Sequence, residues 1–202
     1  MSTQLEHQSN ILDAIRLRRA VRAYTDEELS ETSVRELLDA AVQAPTAMHL
    51  EPWGFVVIQD KALLKHYSDR AKSMWLEQAE VNAATGSGPS LRHGYRAMLA
   101  DPAYNIFHDA GTLIVVCRRT SGSFAEADCW LAAENLMLAA TAKGLATCCI
   151  GFAVPLLNAP DVKRDLGIPD EGAAVAPVIV GFPSGPTAPV SRKPPEILRW
   201  VK

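Results

Sequence analysis

The sequence lacks an excess of basic residues, a long apolar run and any cysteine pair at redox or zinc spacing. Lys and Arg number 20 against 23 Asp and Glu, a formal charge of −3. That balance excludes the broad basic footprint of a nucleic-acid binder, so any cluster of positive charge has to be local. Apolar stretches are short and interrupted, and no membrane span is expected. The first ten residues are polar and carry no signal-peptide core, which points to a cytoplasmic protein. The four cysteines, Cys117, Cys129, Cys148 and Cys149, form no C-x-x-C pair, and with the five histidines they show no metal-ligand spacing. The adjacent Cys148 and Cys149 read as two buried strand thiols rather than a strained vicinal disulfide. There is also no G-x-G-x-x-G turn, no Ser-His-Asp set and no pair of catalytic carboxylates. The chain therefore offers neither a Rossmann fingerprint nor a protein nucleophile.

What is present suits a globular α/β-rich chain. Hydrophobic residues make up 48% of 202 positions, enough for a real core in a single domain spanning 1–202. Asn10 and Asp13 predict a helix that runs from Ile11 towards Arg18. Ser30 predicts the cap of a second helix, with Val34, Leu37, Leu38, Ala41 and Val42 on its apolar face, ending before Pro45. Strands are expected at Trp53–Gln59, Thr112–Cys117, Ala146–Ile150 and Val175–Val180, each a short run rich in β-branched residues. Asp60 should cap a helix over 61–82. Ser123 and Glu126 fit an S-x-x-E capping box for a helix to Lys143 that is apolar nearly all round. Gly144 should close that helix. A short helix is expected around Asp161–Leu166, closed by Gly167. Residues 84–106, broken by Gly86, Gly88, Pro89 and Pro102, read as an excursion or lid with a short helix near Arg92–Leu99. Tyr95 and Tyr104 there are candidates for shaping a pocket, and Trp75 and Phe107 for lining it or filling the core.

Four constellations stand out. Arg18, Arg19 and Arg22 place three guanidiniums within five residues of an acidic chain, and guanidinium grips phosphate through paired N–H donors. The same spacing also suits a solvated face, or cations at a helix C-terminus. The loop from Pro45 through Thr46, Ala47 and His49 to Trp53 brings small residues and two prolines between a helix and a buried strand. Ile150 and Gly151 follow a strand, where a missing side chain lets backbone approach a flat ligand. Arg192 and Lys193 form a second basic pair in the Pro-rich tail.

In this order, four blocks resemble the nitroreductase family of flavoenzymes: RRAVRAY, APTAMHLEPWGFVVI, AAENLMLAATAKGLATCCIGF and VIVGFP…RKPPEIL. The resemblance runs from about Ile11 to Leu198. It implies bound FMN, with Arg18, Arg19 and Arg22 at its phosphate and ribityl end and Arg192 as a further phosphate ligand. Ala20 stands where the family usually has Ser, leaving only its backbone to contribute. It also implies that Pro45, Thr46, Ala47 and His49 reach the flavin from a partner subunit, and that Ile150 and Gly151 touch the ring. His49 and Glu51 replace the family's usual Asn and Gln. The implied activity is hydride transfer from NAD(P)H through FMN to a small acceptor, such as a nitroaromatic or quinone, by a ping-pong course without a protein nucleophile. Other chemistries on the same fold (dehalogenation, substrate oxidation, flavin cleavage) and a flavin-binding protein without turnover stay open. The implied fold is an α+β sandwich: a mixed central sheet flanked by helices, with an extended C-terminal arm. The implied assembly is an intertwined homodimer with flavin sites at its interface and helix 123–143 at its centre.

Overall fold

The computed structural model describes residues 11–86, 91 and 93–202. Its centre is a four-stranded sheet built from β1 (Trp53–Ile58), β2 (Thr112–Arg118), β3 (Ala146–Cys149) and β4 (Ala173–Gly181), in the order β1-β2-β4-β3. All three strand pairs are antiparallel. The mixed character comes from an isolated parallel bridge between Ala20 and Thr147, which lays the N-terminal segment along the outer edge of β3. Helices α1 (Ile11–Leu17), α2 (Glu31–Ala41), α3 (Lys61–Thr85), α4 (His93–Ala100), α5 (Ala125–Ala142), α6 (Val154–Leu157) and α7 (Pro160–Asp165) complete the element order.

The sheet's alternation creates two cores. On β2, Leu113, Val115 and Cys117 face one side, where they join Leu64 and Ala71 of α3, Leu156 and Leu157 of α6, and Val162 of α7. Ile114 and Val116 face the other side, against Val34 and Leu37 of α2 and Cys129, Ala133 and Leu136 of α5. An irregularity in the β2–β4 register, where Val116 meets Ala176 but Cys117 meets Ala174, inserts Val175 and reverses the facing of β4. Ala174 therefore packs in the first core and Ala176 in the second, although they are two apart, as a β-bulge requires.

Local chemistry sets most boundaries. The Ser30 side chain accepts the Ser33 N–H at 3.1 Å and starts α2. The Asp60 carboxylate accepts from the backbone N–H groups of Ala62 and Leu63 at 2.9 and 3.0 Å, starting α3. Gly144, at φ 74°, ends α5 in the left-handed conformation that glycine adopts without a Cβ clash. The start of α5 corrects the sequence expectation. Its capping residue is Phe124, with no side-chain cap, and the S-x-x-E pair at Ser123 and Glu126 forms no box. Glu126 turns instead towards Arg118, at 3.8 Å. Within the stretch 84–106, α3 runs on to Thr85, and Leu99 and Ile106 are buried in the first core. Asn10, the expected first cap, Gly88 and Pro89, two of the four expected breaks, and Arg92 lie outside the described residues. Among the described residues no helix is long and apolar enough to cross a membrane. All four cysteines are free thiols.

Candidate active site

The site is assembled by a non-local meeting of two chain segments. After α1 the chain leaves the helix with the Arg18 N–H donating to the Ala14 carbonyl at 2.9 Å. It then runs beside β3, where the Val21 N–H donates to Thr147 O at 3.0 Å. Further on it meets the chain leaving β4: Thr25 N–H donates to Phe182 O at 2.9 Å and Ser184 N–H to Ala23 O at 3.1 Å. This clamp carries the arginines of residues 18–22 against the start of the C-terminal arm. Tyr24 locks it, its hydroxyl donating to Val21 O at 2.8 Å and its ring lying on Gly181. Burial pushes the Tyr24 phenol far above its ordinary range, so it stays a neutral donor.

Two adjoining cavities result. The first, of about 630 Å³, is lined by Arg18, Arg19, Ala20 and Arg22 from the N-terminal segment and by Ser184, Thr187 and Arg192 from the arm. Four arginines thus line it, and no carboxylate is among the lining residues. Arg18 Nε lies 3.6 Å from the Glu134 carboxylate. Arg19 is held by its Nη1, which donates to the carbonyl oxygens of Arg16 and Arg18 at 2.5 and 2.8 Å. Its Nε is buried with no hydrogen-bond partner, as is Oγ1 of Thr147. Each is a buried polar atom whose hydrogen-bonding demand is unmet within the chain.

The second cavity, of about 870 Å³, is mainly apolar and aromatic. Its walls come from Trp75 of α3, Tyr95 and Met98 of α4, Tyr104, Ile106 and His108 from the segment before β2, and Cys148 to Phe152 at the end of β3. Arg22 lines both cavities and joins them. Trp75 and Phe152 meet edge to face at 5.4 Å, and Tyr95 meets Phe152 at 5.7 Å. Trp75 Nε1 donates to Phe152 O at 2.9 Å, which fixes this wall. Burial raises the Cys148 thiol, against the pull of Arg22 and Arg18, and pushes Cys149 up to about 11, with Cys148 adding to the effect. Both thiols are protonated at neutral pH and are poor nucleophiles.

Of the residues singled out from sequence, Arg18, Arg19, Ala20, Arg22 and Arg192 share the first cavity, while Arg22, Ile150 and Gly151 share the second. Pro45, Thr46, Ala47 and His49 line neither cavity of the single chain. Their loop sits at the N-terminal end of α5, where both Asp128 carboxylate oxygens lie 3.3 Å from the Ala47 N–H. It is a strained loop, with Met48, His49 and Glu51 at φ 55°, 54° and 43°. Phe107 fills the core, whereas Trp75 lines the second cavity. His108, the residue the sequence reading missed, lies in an irregular segment with no periodic signal. Its one cue was a spacing of four from Tyr104, which its ring meets at 5.7 Å. No cluster of His, Cys, Asp and Glu among the described residues could hold a metal ion.

The pattern that defines the Nitroreductase family matches residues 15–182. The chain belongs to the nitroreductase family. Among relatives of this nitroreductase-family chain, the Bacillus subtilis protein YodC is 30% identical over 206 residues, covering 96% of this chain and 100% of its own length. A nitrobenzene nitroreductase of Ectopseudomonas oleovorans is 27% identical, covering 84% of this chain and 85% of its own. An NADH dehydrogenase of Thermus thermophilus is 28% identical, covering 91% and 92%. A crystal structure of a nitroreductase with bound FMN from Bacteroides fragilis superposes with a TM-score of 0.79 at 25% identity, covering 96% of this chain and 100% of that one. The nitroreductase fold is thus shared over almost the entire chain.

Proposed function

We propose that the chain is an FMN-dependent NAD(P)H oxidoreductase that passes a hydride equivalent from the nicotinamide to a small acceptor, such as a nitroaromatic or a quinone. One observation carries this reading: a cavity with four arginines and no lining carboxylate opens, through Arg22, onto an aromatic cavity. A phosphate dianion next to a flat heteroaromatic ring has that shape and charge pattern. The residues fit the group. Arg18, Arg19, Arg22 and Arg192 would hold the phosphate and ribityl end, with the orphaned Arg19 Nε as one of the donors. Backbone at Ala20, and Ile150 with Gly151, would border the ribityl chain and the ring; a Cβ at Gly151 would meet nothing within 4 Å. FMN supplies the hydride chemistry when bound. The protein supplies the binding charge, a mainly apolar slot and neutral hydrogen-bonding groups at its edge.

The second half of the proposal is a homodimer. The loop of Pro45, Thr46, Ala47 and His49 lines neither cavity of its own chain, which fits a role completing the partner's site. Exposed apolar residues on the arm (Ile197, Leu198, Trp200 and Val201), on α1 (Ile11 and Ile15) and on α5 (Trp130 and Leu131) offer the cover such a dimer needs. With reduced nicotinamide as donor, the enzyme would work in the cytoplasm with its four thiols reduced.

Titration of the purified protein with FMN, followed by anaerobic NADH or NADPH, tests the reading. Stoichiometric flavin uptake and bleaching of the flavin band by at least one nucleotide are expected. Parallel double-reciprocal plots with nitrobenzene or 1,4-benzoquinone would follow from the ping-pong course. A protein that stays colourless would sink the flavin reading, and a monomer in sedimentation equilibrium would sink the dimer.

A further inference from the structure

The aromatic cavity has a polar side chain, His108, whose placement nothing in the core explains. His108 is half-buried in the cavity wall, and neither imidazole nitrogen has a hydrogen-bond partner among the described residues. Its ring is held edge-on by Tyr104 at 5.7 Å. The backbone that presents it is unfavourable: His108 and Asp109, neither a glycine, sit consecutively at φ 52° and 57°. Contacts on either side impose that turn. Asn105 accepts the Phe107 N–H through Oδ1 at 2.9 Å, accepts the His108 N–H through its carbonyl at 2.9 Å, and donates through Nδ2 to Asp109 Oδ1 at 2.8 Å. The Phe107 ring is wholly buried, and the Ile106 N–H donates to the buried Ser68 hydroxyl at 3.0 Å. Strain that the surroundings over-determine, and that aims an unpaired side chain into a cavity, is the signature of a ligand contact.

The other polar groups in the wall are less suited. Trp75 spends its N–H on Phe152, Cys148 points its thiol back at the Cys149 carbonyl at 3.6 Å, and Tyr95 is exposed on α4. The Tyr104 hydroxyl also lines the wall, but Tyr104 lacks the left-handed backbone that presents His108, whose ring it supports edge-on. Burial first, and then the nearby Arg22, lower the His108 pKa below its ordinary 6.5, against a smaller upward pull from Asp109. The ring is therefore neutral at pH 7, with one nitrogen a donor and the other an acceptor.

We propose that His108 is the hydrogen-bonding contact for the acceptor. An imidazole nitrogen meets an oxygen or nitrogen substituent of a small aromatic acceptor whose ring lies against Trp75, Tyr95 and Phe152. This deepens the flavin reading above and rests on it. His108 is a specificity residue in this scheme: it sets acceptor binding and takes no part in holding the flavin.

Two measurements test it on the FMN-loaded protein. In wild type, long-range ¹⁵N–¹H spectra of the imidazoles, with His108 assigned by its loss in His108→Asn, are recorded while 4-nitrobenzamide is added. The expected result is a shift of one His108 nitrogen that saturates with the ligand. In kinetics with 1,4-naphthoquinone, His108→Phe should raise KM about tenfold, the worth of one neutral hydrogen bond, with kcat changed less than about twofold. His108→Asn tolerates the left-handed backbone and keeps a donor, and it should recover most of that loss. His108 resonances that do not respond to the ligand, in a wild-type protein whose flavin NADH still bleaches, would overturn the assignment and leave the flavin reading intact. Equal KM values for wild type, His108→Phe and His108→Asn would overturn it as well. If wild type takes up no FMN, both readings fall together.

Discussion

The ammonium of Lys72 lies 2.7 Å from the carbonyl oxygen of Tyr104, a charged donor buried on α3 and spent on backbone. It also donates to Asp101 O at 3.1 Å and pairs with Asp69 at 3.2 Å. These contacts pin the segment that carries Tyr104 and His108 against the first core. Replacing Lys72 by Met keeps the volume but leaves two carbonyls without their donor. Lys72→Met should lower stability by about 2–3 kcal/mol in urea unfolding of the apoprotein. It should also raise KM for naphthoquinone, because the wall that aims His108 is loosened, while FMN affinity changes little. An equal loss of FMN affinity would show that Lys72 supports the whole fold rather than this wall.

Gly181 ends β4 with the ring of Tyr24 directly over it. A Cβ there would lie 2.9 Å from Tyr24 Cδ1, too near for any real contact. The ring cannot swing aside without losing the Tyr24 hydroxyl's bond to Val21 O, so Gly181→Ala should strain the clamp that brings Arg18–Arg22 to the arm. A stability loss of roughly 1–3 kcal/mol is expected, in the range of overpacked sites. Flavin affinity should fall with it. Tyr24→Leu placed on top of Gly181→Ala should cost less than the sum of the two changes, which a double-mutant cycle on thermal midpoints would measure. Strict additivity would mean that the ring and the glycine do not share the constraint.

How far the sequence speaks for the site follows from how local each feature is. Strands β2 and β4 are legible because their apolar, β-branched runs are buried on both faces, and the edge strands β1 and β3 because they are short apolar runs bounded by turns. Ser30 and Asp60 announced helices because capping is a three-residue affair. Ser123 failed by the same logic: Phe124 sits in a helical conformation and Glu126 finds Arg118, a residue from the preceding strand, outside the capping motif. The arginines were visible as a cluster, but their meeting with Arg192 depends on Tyr24 pairing with Pro183, a contact between distant segments. His108 was invisible because its meaning lies in a turn held by Asn105 and Ser68, with no repeat to mark it. The strain at Met48, His49 and Glu51 was equally hidden, since nothing in residue type predicts left-handed backbone there.

The depressed pKa of His108 has a consequence for stability with a definite sign. A base whose pKa is lower folded than unfolded leaves the unfolded chain binding more protons below pH 6.5. Stability contributed by the neutral ring is complete above that value and is lost as pH falls towards the folded pKa. Wild type should therefore lose stability on going from pH 7 to pH 5, and His108→Asn should lose less over the same interval. Asp69 behaves differently: hydrogen bonding from Lys65, with Lys72 adding to it, lowers its carboxyl below 3.8, so its contribution disappears only below that value. Urea midpoints measured at intervals between pH 7 and pH 3 separate the two windows. Parallel curves for wild type and His108→Asn above pH 5 would contradict the assignment of the first window to His108.

The four arginines of the first cavity should not be equivalent. Arg192 stands on the arm and Arg19 is anchored by two carbonyls with its Nε left over, so in the proposed site each would offer one side of a phosphate grip. Arg192→Ala and Arg19→Ala should each weaken FMN binding roughly 10–100-fold, the range for loss of one charge-assisted contact. Neither should move KM for naphthoquinone once the protein is saturated with flavin. Arg22 differs because it lines both cavities and lies close enough to His108 to influence its charge. Arg22→Ala should weaken FMN binding by a similar factor and also let the His108 pKa rise, since a repelling cation is gone. The two effects are read separately: fluorescence quenching of FMN gives the first, and the pH dependence of the His108 nitrogen shifts gives the second. An Arg22→Ala protein with weakened FMN binding but an unmoved His108 titration would confine Arg22 to the phosphate end. It would also leave burial alone as the cause of the neutral imidazole.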